Sequence, residues 1–236
     1  MDKKYELLKD DYINYRGKTL YRIRALRDFG YIKKGELGGY IQSENNLSHE
    51  DECWAYENAC IYDSARVYEN AFIYDNAKVY GHAKVYENAK VYGHAEVFGN
   101  AIVYENAKIL GNTRVYGNTK VYGDSRVCGN VNIHGKTRIY GDAKVSGNIN
   151  INEDTIIGKV SMPYKDIFQY QCKNRILTAI LTEDDNILYA LGCQENITEE
   201  EFIDRIYNKN GGLKENPHRY EYLKLIPAIN IYFKGE

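Results

Sequence analysis

Five histidines, five cysteines and two runs of carboxylates are the residues of this 236-residue chain whose types could carry chemistry. A histidine suits a general base, a cysteine a nucleophile or soft metal ligand, and paired carboxylates suit acid–base work. Spacing decides whether any of them can act together. His82 and His94 are twelve residues apart, His134 stands forty further on, and His49 and His218 lie toward the two ends. Cys53, Cys60, Cys128, Cys172 and Cys193 are scattered, with no CxxC and no Cys/His ligand spacing, so they read as reduced structural thiols and no metal site is expected. Glu50, Asp51 and Glu52 form a simple charge run, and Glu199 to Glu201 suit the start of a helix. The glycines at 30, 35, 38 and 39 do not match a phosphate-binding fingerprint and are expected to line a turn. No catalytic residue, metal or cofactor is assigned.

The elements that must position these residues come from a strict repeat. From Cys53 to Val160 the chain divides into eighteen six-residue blocks without insertion or deletion, as in AKVYGHAKVYENAKVYGHAEVFGN. Each block reads small, variable, Val or Ile, usually Tyr, Gly or acidic, then Asn, Asp or His. A short fixed period marks a solenoid. The aliphatic third residue and the small residue four places later (Val79 with Ala83, Val91 with Ala95) are expected to enter a narrow core, while the residues between face water. Gly-Asn pairs such as Gly99-Asn100 and Gly117-Asn118 tolerate the positive φ of a corner. Three blocks close a triangular coil of eighteen residues, and six coils at a strand spacing of about 4.8 Å give a prism roughly 29 Å long. His82 and His94 then occupy different corners and His134 lies mid-face, so the three do not converge.

The expected organisation is mainly β: an N-terminal β-hairpin cap over 1–46, a hexapeptide-repeat β-helix over 47–160 and a small α+β domain over 161–236. In the cap, strands are expected near Tyr5 to Leu8 and Tyr12 to Tyr15, with a turn at Arg16-Gly17-Lys18 and a return from Leu20 to Leu26. In the last domain, strands are expected at Asp166 to Cys172, Arg175 to Thr182 and Ile187 to Cys193, joined at Lys173-Asn174 and Glu183 to Asn186. Thr198 and Glu201 form a capping box for a helix carrying Phe202, Ile203, Ile206 and Tyr207. A second helix is expected from Asn216-Pro217, kinked or ended by Pro227.

Folding the blocks by threes stacks the fourth positions into columns. One reads Tyr68, Tyr86, Tyr104, Tyr122, Tyr140, and its neighbours at position two are Arg66, Lys84, Ile102, Lys120 and Arg138. A second reads Tyr62, Tyr80, Phe98, Tyr116, His134; the third decays from Tyr56, Tyr74 and Tyr92 into Leu110, Cys128 and Ser146. The first column is an aromatic ladder flanked by cations, and is the candidate binding face. Stacked rings and Lys stems also simply cover strands, but a rigid surface rich in Tyr and Arg suits a macromolecular partner. Glu69, Glu87 and Glu105 at the adjoining corners dilute the positive field, so a protein partner or self-association, as a homodimer or trimer, fits better than nucleic acid.

Charge gives no stronger direction. The net charge is −2, although residues 53–106 hold four basic against seven acidic side chains and residues 107–160 hold eight against four. The charged MDKKYELLKDDY start and the lack of a long apolar run predict a cytosolic protein with no membrane partner.

Three stretches carry a resemblance: YRIRALRDFGYIKKGELGGYIQSENNLSHEDECWAYENA, the AxVYGN-type blocks, and LTAILTEDDNILYALGCQENITEEEFIDRI with the later YEYLKLI. Together they resemble a group of bacteriophage and prophage hexapeptide-repeat proteins, often loosely labelled transferases or polymer-forming proteins. The resemblance implies a left-handed parallel β-helix and a phage origin, with no catalytic residues to carry over. Hexapeptide acyltransferases are similar in their coils and use a histidine beside a loop projecting from the helix; no such loop interrupts 53–160. The leading expectation is thus a non-enzymatic phage or prophage protein that binds a host or phage protein, including a nuclease of a host antiviral system. An acyltransferase-like enzyme and a virion or fibre component are the alternatives.

Overall fold

The computed structural model describes residues 3–151, 156–157, 163–172, 175–182, 185–191, 197–208 and 219–234. Its centre is a β-solenoid of about six turns. Each side of a turn is a strand of two residues paired in parallel with the strand eighteen residues on, so Arg66–Val67 is followed by Lys84–Val85, Ile102–Val103, Lys120–Val121, Arg138–Ile139 and Ile156–Ile157 down one face. Two backbone N–H groups per side donate to the next turn: Lys84 N to the Ala101 carbonyl at 3.0 Å and Tyr86 N to the Val103 carbonyl at 3.1 Å. That satisfies the strand backbone and leaves the third residue of each block, Val79, Val85, Val91, Val97 and Val103, fully buried with Ala83, Ala89, Ala95 and Ala101.

From the fourth turn onward Thr113, Thr119, Ser125 and Thr137 replace alanine in this core and are also fully buried. Each threonine hydroxyl donates to the carbonyl three residues back, Thr119 to Tyr116 and Thr137 to His134, both at 2.7 Å. Burial of the hydroxyl is thereby offset. Ser125 Oγ has no such partner.

The corners refine the expected turn chemistry. Positive φ falls at the fifth position of the block and not on the following Asn, Asp or His, as at Gly99 (67°) and Gly117 (72°). In the early turns an acid takes this conformation: Asp63 (60°), Glu69 (56°) and Asp75 (56°). Their carboxylates explain the choice. Asp75 Oδ2 accepts from Gly93 N–H at 2.7 Å, Glu69 Oε2 from Glu87 N–H at 2.9 Å and Asp63 Oδ2 from Gly81 N–H at 3.2 Å, tying each corner to the one below. The Asn beside them form a second outer ladder, with Asn88 donating to Asn106 and Asn106 to Asp124. One set of corners opens out: Arg126–Ile133 and Lys144–Ile151 are single eight-residue strands that run across the corner at Gly129 and Gly147, where φ widens to 97° and 114°.

At the N-terminal end, β1 (Tyr5–Tyr15) and β2 (Lys18–Ala25) form the expected hairpin, although the two short strands expected before the turn are one strand with a register shift between Leu8 and Tyr12. β3 (Leu37–Ile41) joins β2 antiparallel on one side and the solenoid in parallel on the other, with Tyr40 opposite Cys60 and Ile41 opposite Ile61. Leu47 pairs with Val67 in the same sense. The coil therefore reaches back into the span expected to be cap. The offset there is twenty residues and returns to eighteen at Trp54 and Phe72, because two extra residues lie between Leu47 and Cys53. Gly38 and Gly39, expected in a turn, are buried in β3; a Cβ on Gly39 would meet the Ala59 carbonyl oxygen at 2.5 Å. Close backbone approach is what requires them. Beneath the hairpin, Trp54, Tyr5, Phe29, Ile23 and Leu47 seal the first turn.

At the other end, Pro163–Cys172 pairs in parallel with Lys144–Ile151 and antiparallel with Arg175–Thr182, which continues to Ile187–Leu191 and Ile197–Thr198. Alternation divides Arg175–Thr182 between two cores: Ile180 joins the solenoid core, while Leu177, Ala179 and Leu181 pack with Phe202, Ile206, Tyr222 and Ile229 of helices α1 (Glu199–Asn208) and α2 (Tyr220–Lys234). The capping box is present, with Glu201 N–H donating to Thr198 Oγ1 at 3.3 Å and Thr198 N–H to Glu201 Oε2 at 3.0 Å. Pro227 does not end the second helix, which continues to Lys234. The expected turn at Lys173-Asn174 and helix start at Asn216-Pro217 lie outside the described residues.

Candidate functional site

Parallel strands with an exact eighteen-residue offset place like residues above like, and that alone builds the ladder. Tyr68, Tyr86, Tyr104, Tyr122 and Tyr140 stack face to face, with successive centroids 4.9, 5.2, 4.9 and 5.4 Å apart and planes within 13° of parallel. The rings lie half-buried against one another. Burial holds the phenol of Tyr104 up at about 12, helped by Tyr122, Tyr86 and Glu105, and it raises Tyr68, Tyr86 and Tyr122 in the same way. The four rings from Tyr68 to Tyr122 are therefore neutral hydroxyl-bearing rings at physiological pH.

Arg66, Lys84, Lys120 and Arg138 run beside the rings in one parallel register, interrupted by Ile102. All four cations are exposed, and none forms an ion pair among the described residues. The corner glutamates do not neutralise them directly, since Glu69 is engaged with the Glu87 backbone.

The second column has the same stacking and a different environment. Tyr62, Tyr80, Phe98, Tyr116 and His134 follow at 4.9, 4.7, 4.7 and 5.0 Å. Its charges satisfy one another, with Glu96 between Lys78 (3.8 Å) and Arg114 (3.5 Å) and accepting from the Tyr80 hydroxyl at 3.1 Å. Its first ring is covered by the hairpin: Tyr15 meets Tyr62 edge-on at 5.8 Å, and Tyr62 is 1% exposed. The third column breaks after Tyr56 and Tyr74, because Tyr92 turns perpendicular to Tyr74 at 6.5 Å. The first face thus combines an unbroken ladder with cations that form no ion pair among the described residues.

The dispersed chemistry stays dispersed. His82 and His94 are exposed at separate corners, and His134 is stacked on Tyr116. His49 is held in the N-terminal cap, where its ring lies on Tyr5 at 4.2 Å and its Nδ1 accepts from Lys4 N–H at 3.2 Å; burial lowers its pKa despite Glu44. His218 lies outside the described residues. Cys53, Cys60 and Cys128 are free thiols. Burial raises Cys53 and pushes Cys60 up to about 11, which leaves both poor nucleophiles. Cys193 and the side chain of Cys172 are outside the described set. Among the described residues no three His, Cys, Asp or Glu side chains form a metal-binding group, and no helix is long and apolar enough to cross a membrane.

Two concavities accompany these surfaces. One, of about 530 Å³, lies in the C-terminal unit between Thr182, Asp185, Thr198, Glu199, Glu200 and Lys234. The other, of about 410 Å³, lies at the N-terminal end of the ladder face, between Asn45, Ser48, Arg66, Val67, Tyr68 and Lys84. Asn45 and Ser48 were not legible as site residues, because the two-residue insertion before Cys53 hides their phase relative to the blocks. Comparison with protein-family models and with curated proteins finds no match to this chain.

Proposed function

We propose that the chain is a non-enzymatic binding protein, encoded by a phage or prophage, that engages a protein partner through the ladder formed by Tyr68, Tyr86, Tyr104, Tyr122 and Tyr140. The observation that carries this reading is the pairing of five stacked rings with Arg66, Lys84, Lys120 and Arg138, which form no ion pair among the described residues. The opposing column with the same stacking neutralises its own charges and is partly covered by the hairpin. Rings already locked in a stack lose little side-chain entropy on binding, and the cations offer orientation to an acidic surface. The resemblance to phage proteins makes a host protein, including a nuclease of an antiviral system, the class of partner to seek.

The test is capture from lysogenic or infected cells with the wild-type chain and with Tyr104→Ser, Tyr122→Ser, paired with light scattering of each purified protein. A stoichiometric partner, or a larger self-assembled species, should be present for the wild type and absent for the variant at unchanged β-sheet circular dichroism. Full retention of both by the variant makes the ladder a solvated wall and moves attention to residues 161–236.

A further inference from the structure

The ring columns begin at the N-terminal end of the solenoid, and the first two begin differently. Tyr62 heads its column beneath Tyr15. Tyr68 heads the ladder face, and among the described residues its only ring neighbour is Tyr86 below. The coil does continue above Tyr68. Ser48 N–H donates to the Val67 carbonyl at 2.9 Å, just as Tyr68 N–H donates to the Val85 carbonyl at 3.2 Å, so Ser48 occupies the ladder position one turn up. A hydroxymethyl group stands where a sixth ring would stack. Its Oγ accepts from Glu50 N–H at 3.0 Å.

The space is the 410 Å³ groove, within the roughly 300–1,000 Å³ that small-molecule sites occupy. It is lined by Tyr68, whose only ring neighbour among the described residues is Tyr86, and by Arg66 and Lys84, cations with no ion pair among the described residues. Asn45 and Ser48 add polar groups at the upper edge. The upper wall is rigid, since Asn46 donates to the Asp63 and Ala65 carbonyls at 3.0 and 2.9 Å and the Tyr5 hydroxyl donates to the Leu47 carbonyl at 2.7 Å. Glu69 and Glu87 both act on the Tyr68 phenol, but the Glu69 carboxylate is bound at the corner by the Glu87 N–H. A flat ring laid on Tyr68 would repeat the spacing of 4.9 Å already present below it, and stacking on an aromatic side chain holds a nucleobase-sized ring whatever its identity.

We propose that this groove binds a small planar aromatic molecule bearing an anionic group, its ring extending the ladder above Tyr68 and its charge held by Arg66 and Lys84. The groove shares Arg66, Tyr68 and Lys84 with the end of the ladder face but none of its middle rings, so Tyr104→Ser, Tyr122→Ser tests the protein partner alone and Ser48→Tyr tests the groove alone.

AMP, UMP and phenyl phosphate are the probes, with adenosine as ring without charge and ribose 5-phosphate as charge without ring, measured by calorimetry and saturation-transfer NMR. At least one ring phosphate should bind with a Kd of about 1 mM or tighter, and about tenfold tighter than either control. Ser48→Tyr should abolish this binding by filling the position, and Tyr68→Leu by removing the stacking face. Arg66→Ala should weaken ring phosphates about tenfold while leaving adenosine unchanged. The Tyr104→Ser, Tyr122→Ser protein should bind the probes like the wild type. No binding by any of the three probes, equal binding of ribose 5-phosphate, or binding that survives both Ser48→Tyr and Tyr68→Leu in folded protein overturns the proposal.

Discussion

Val91 and Tyr92 are adjacent and meet opposite environments, the first fully buried and the second half-exposed on the outer face. Val91→Asp strands a carboxylate in a core of valine and alanine and should cost about 3–5 kcal/mol, whereas Tyr92→Ser, whose ring stands outside a parallel stack, should cost under about 1 kcal/mol. Thermal melts of the two variants check this, and similar curves would contradict the register. Ser125→Ala should be neutral or stabilising by up to about 1 kcal/mol, because the buried hydroxyl it removes has no partner among the described residues and alanine already fills the equivalent place at Ala107 and Ala143. The inward and outward residues were legible because the period leaves no choice of face. The acids at Asp63, Glu69 and Asp75 were less so: their type suggested solvation, while their role is to accept a backbone N–H from the next turn. The place of His49 was legible only as lying toward one end of the chain, since nothing local indicates that Lys4 and Tyr5 close over it. Its folded pKa is depressed by burial, so its contribution is present above the unfolded value of 6.5 and is lost as pH falls through the folded value. Stability of the wild type should therefore drop on acidification below neutrality more than that of His49→Asn, as followed by urea titration at several pH values.

At the scale of one strand and its neighbours, stability comes from repetition across turns rather than within them, since a two-residue strand has no independent existence. The ladder makes this measurable. Tyr104 is held up at about 12 against an ordinary 10.0, so the folded state keeps protons that the unfolded chain releases. Stabilisation from that ring is intact below the ordinary value and is lost as pH rises through the folded one. The part of the phenolate absorbance that Tyr104→Phe removes should appear late and together with loss of β-sheet signal, whereas early ionisation of that ring in folded protein would show that it is not stacked. The hairpin and α1 were readable from alternation and from the Thr198/Glu201 pair, both local signals. β3 was not, because its partners lie twenty residues on and the insertion between Leu47 and Cys53 interrupts the count.

The molecule as a whole is a stack with closed ends. Removing residues 3–27 would uncover Leu20's partners Tyr40, Cys60 and Tyr62 together with Trp54, and the truncated chain should associate at micromolar concentration on sizing chromatography while the full chain keeps a single smaller species. The eighteen-residue offset that holds from Trp54 to Ile157 has another consequence: length and angle are separately adjustable. Deleting residues 87–104 takes out one whole turn, shortens each column by one rung, and leaves every face aligned with its original side of the C-terminal unit. Deleting only residues 87–92 keeps every valine inward but rotates all that follows by a third of a revolution, setting Phe98 under Tyr74, Tyr104 under Tyr80 and Leu110 under Tyr86. The sequence thus works like a single-start screw thread on a three-sided shaft, in which whole pitches change reach and fractions of a pitch change which side of the shaft confronts the far end.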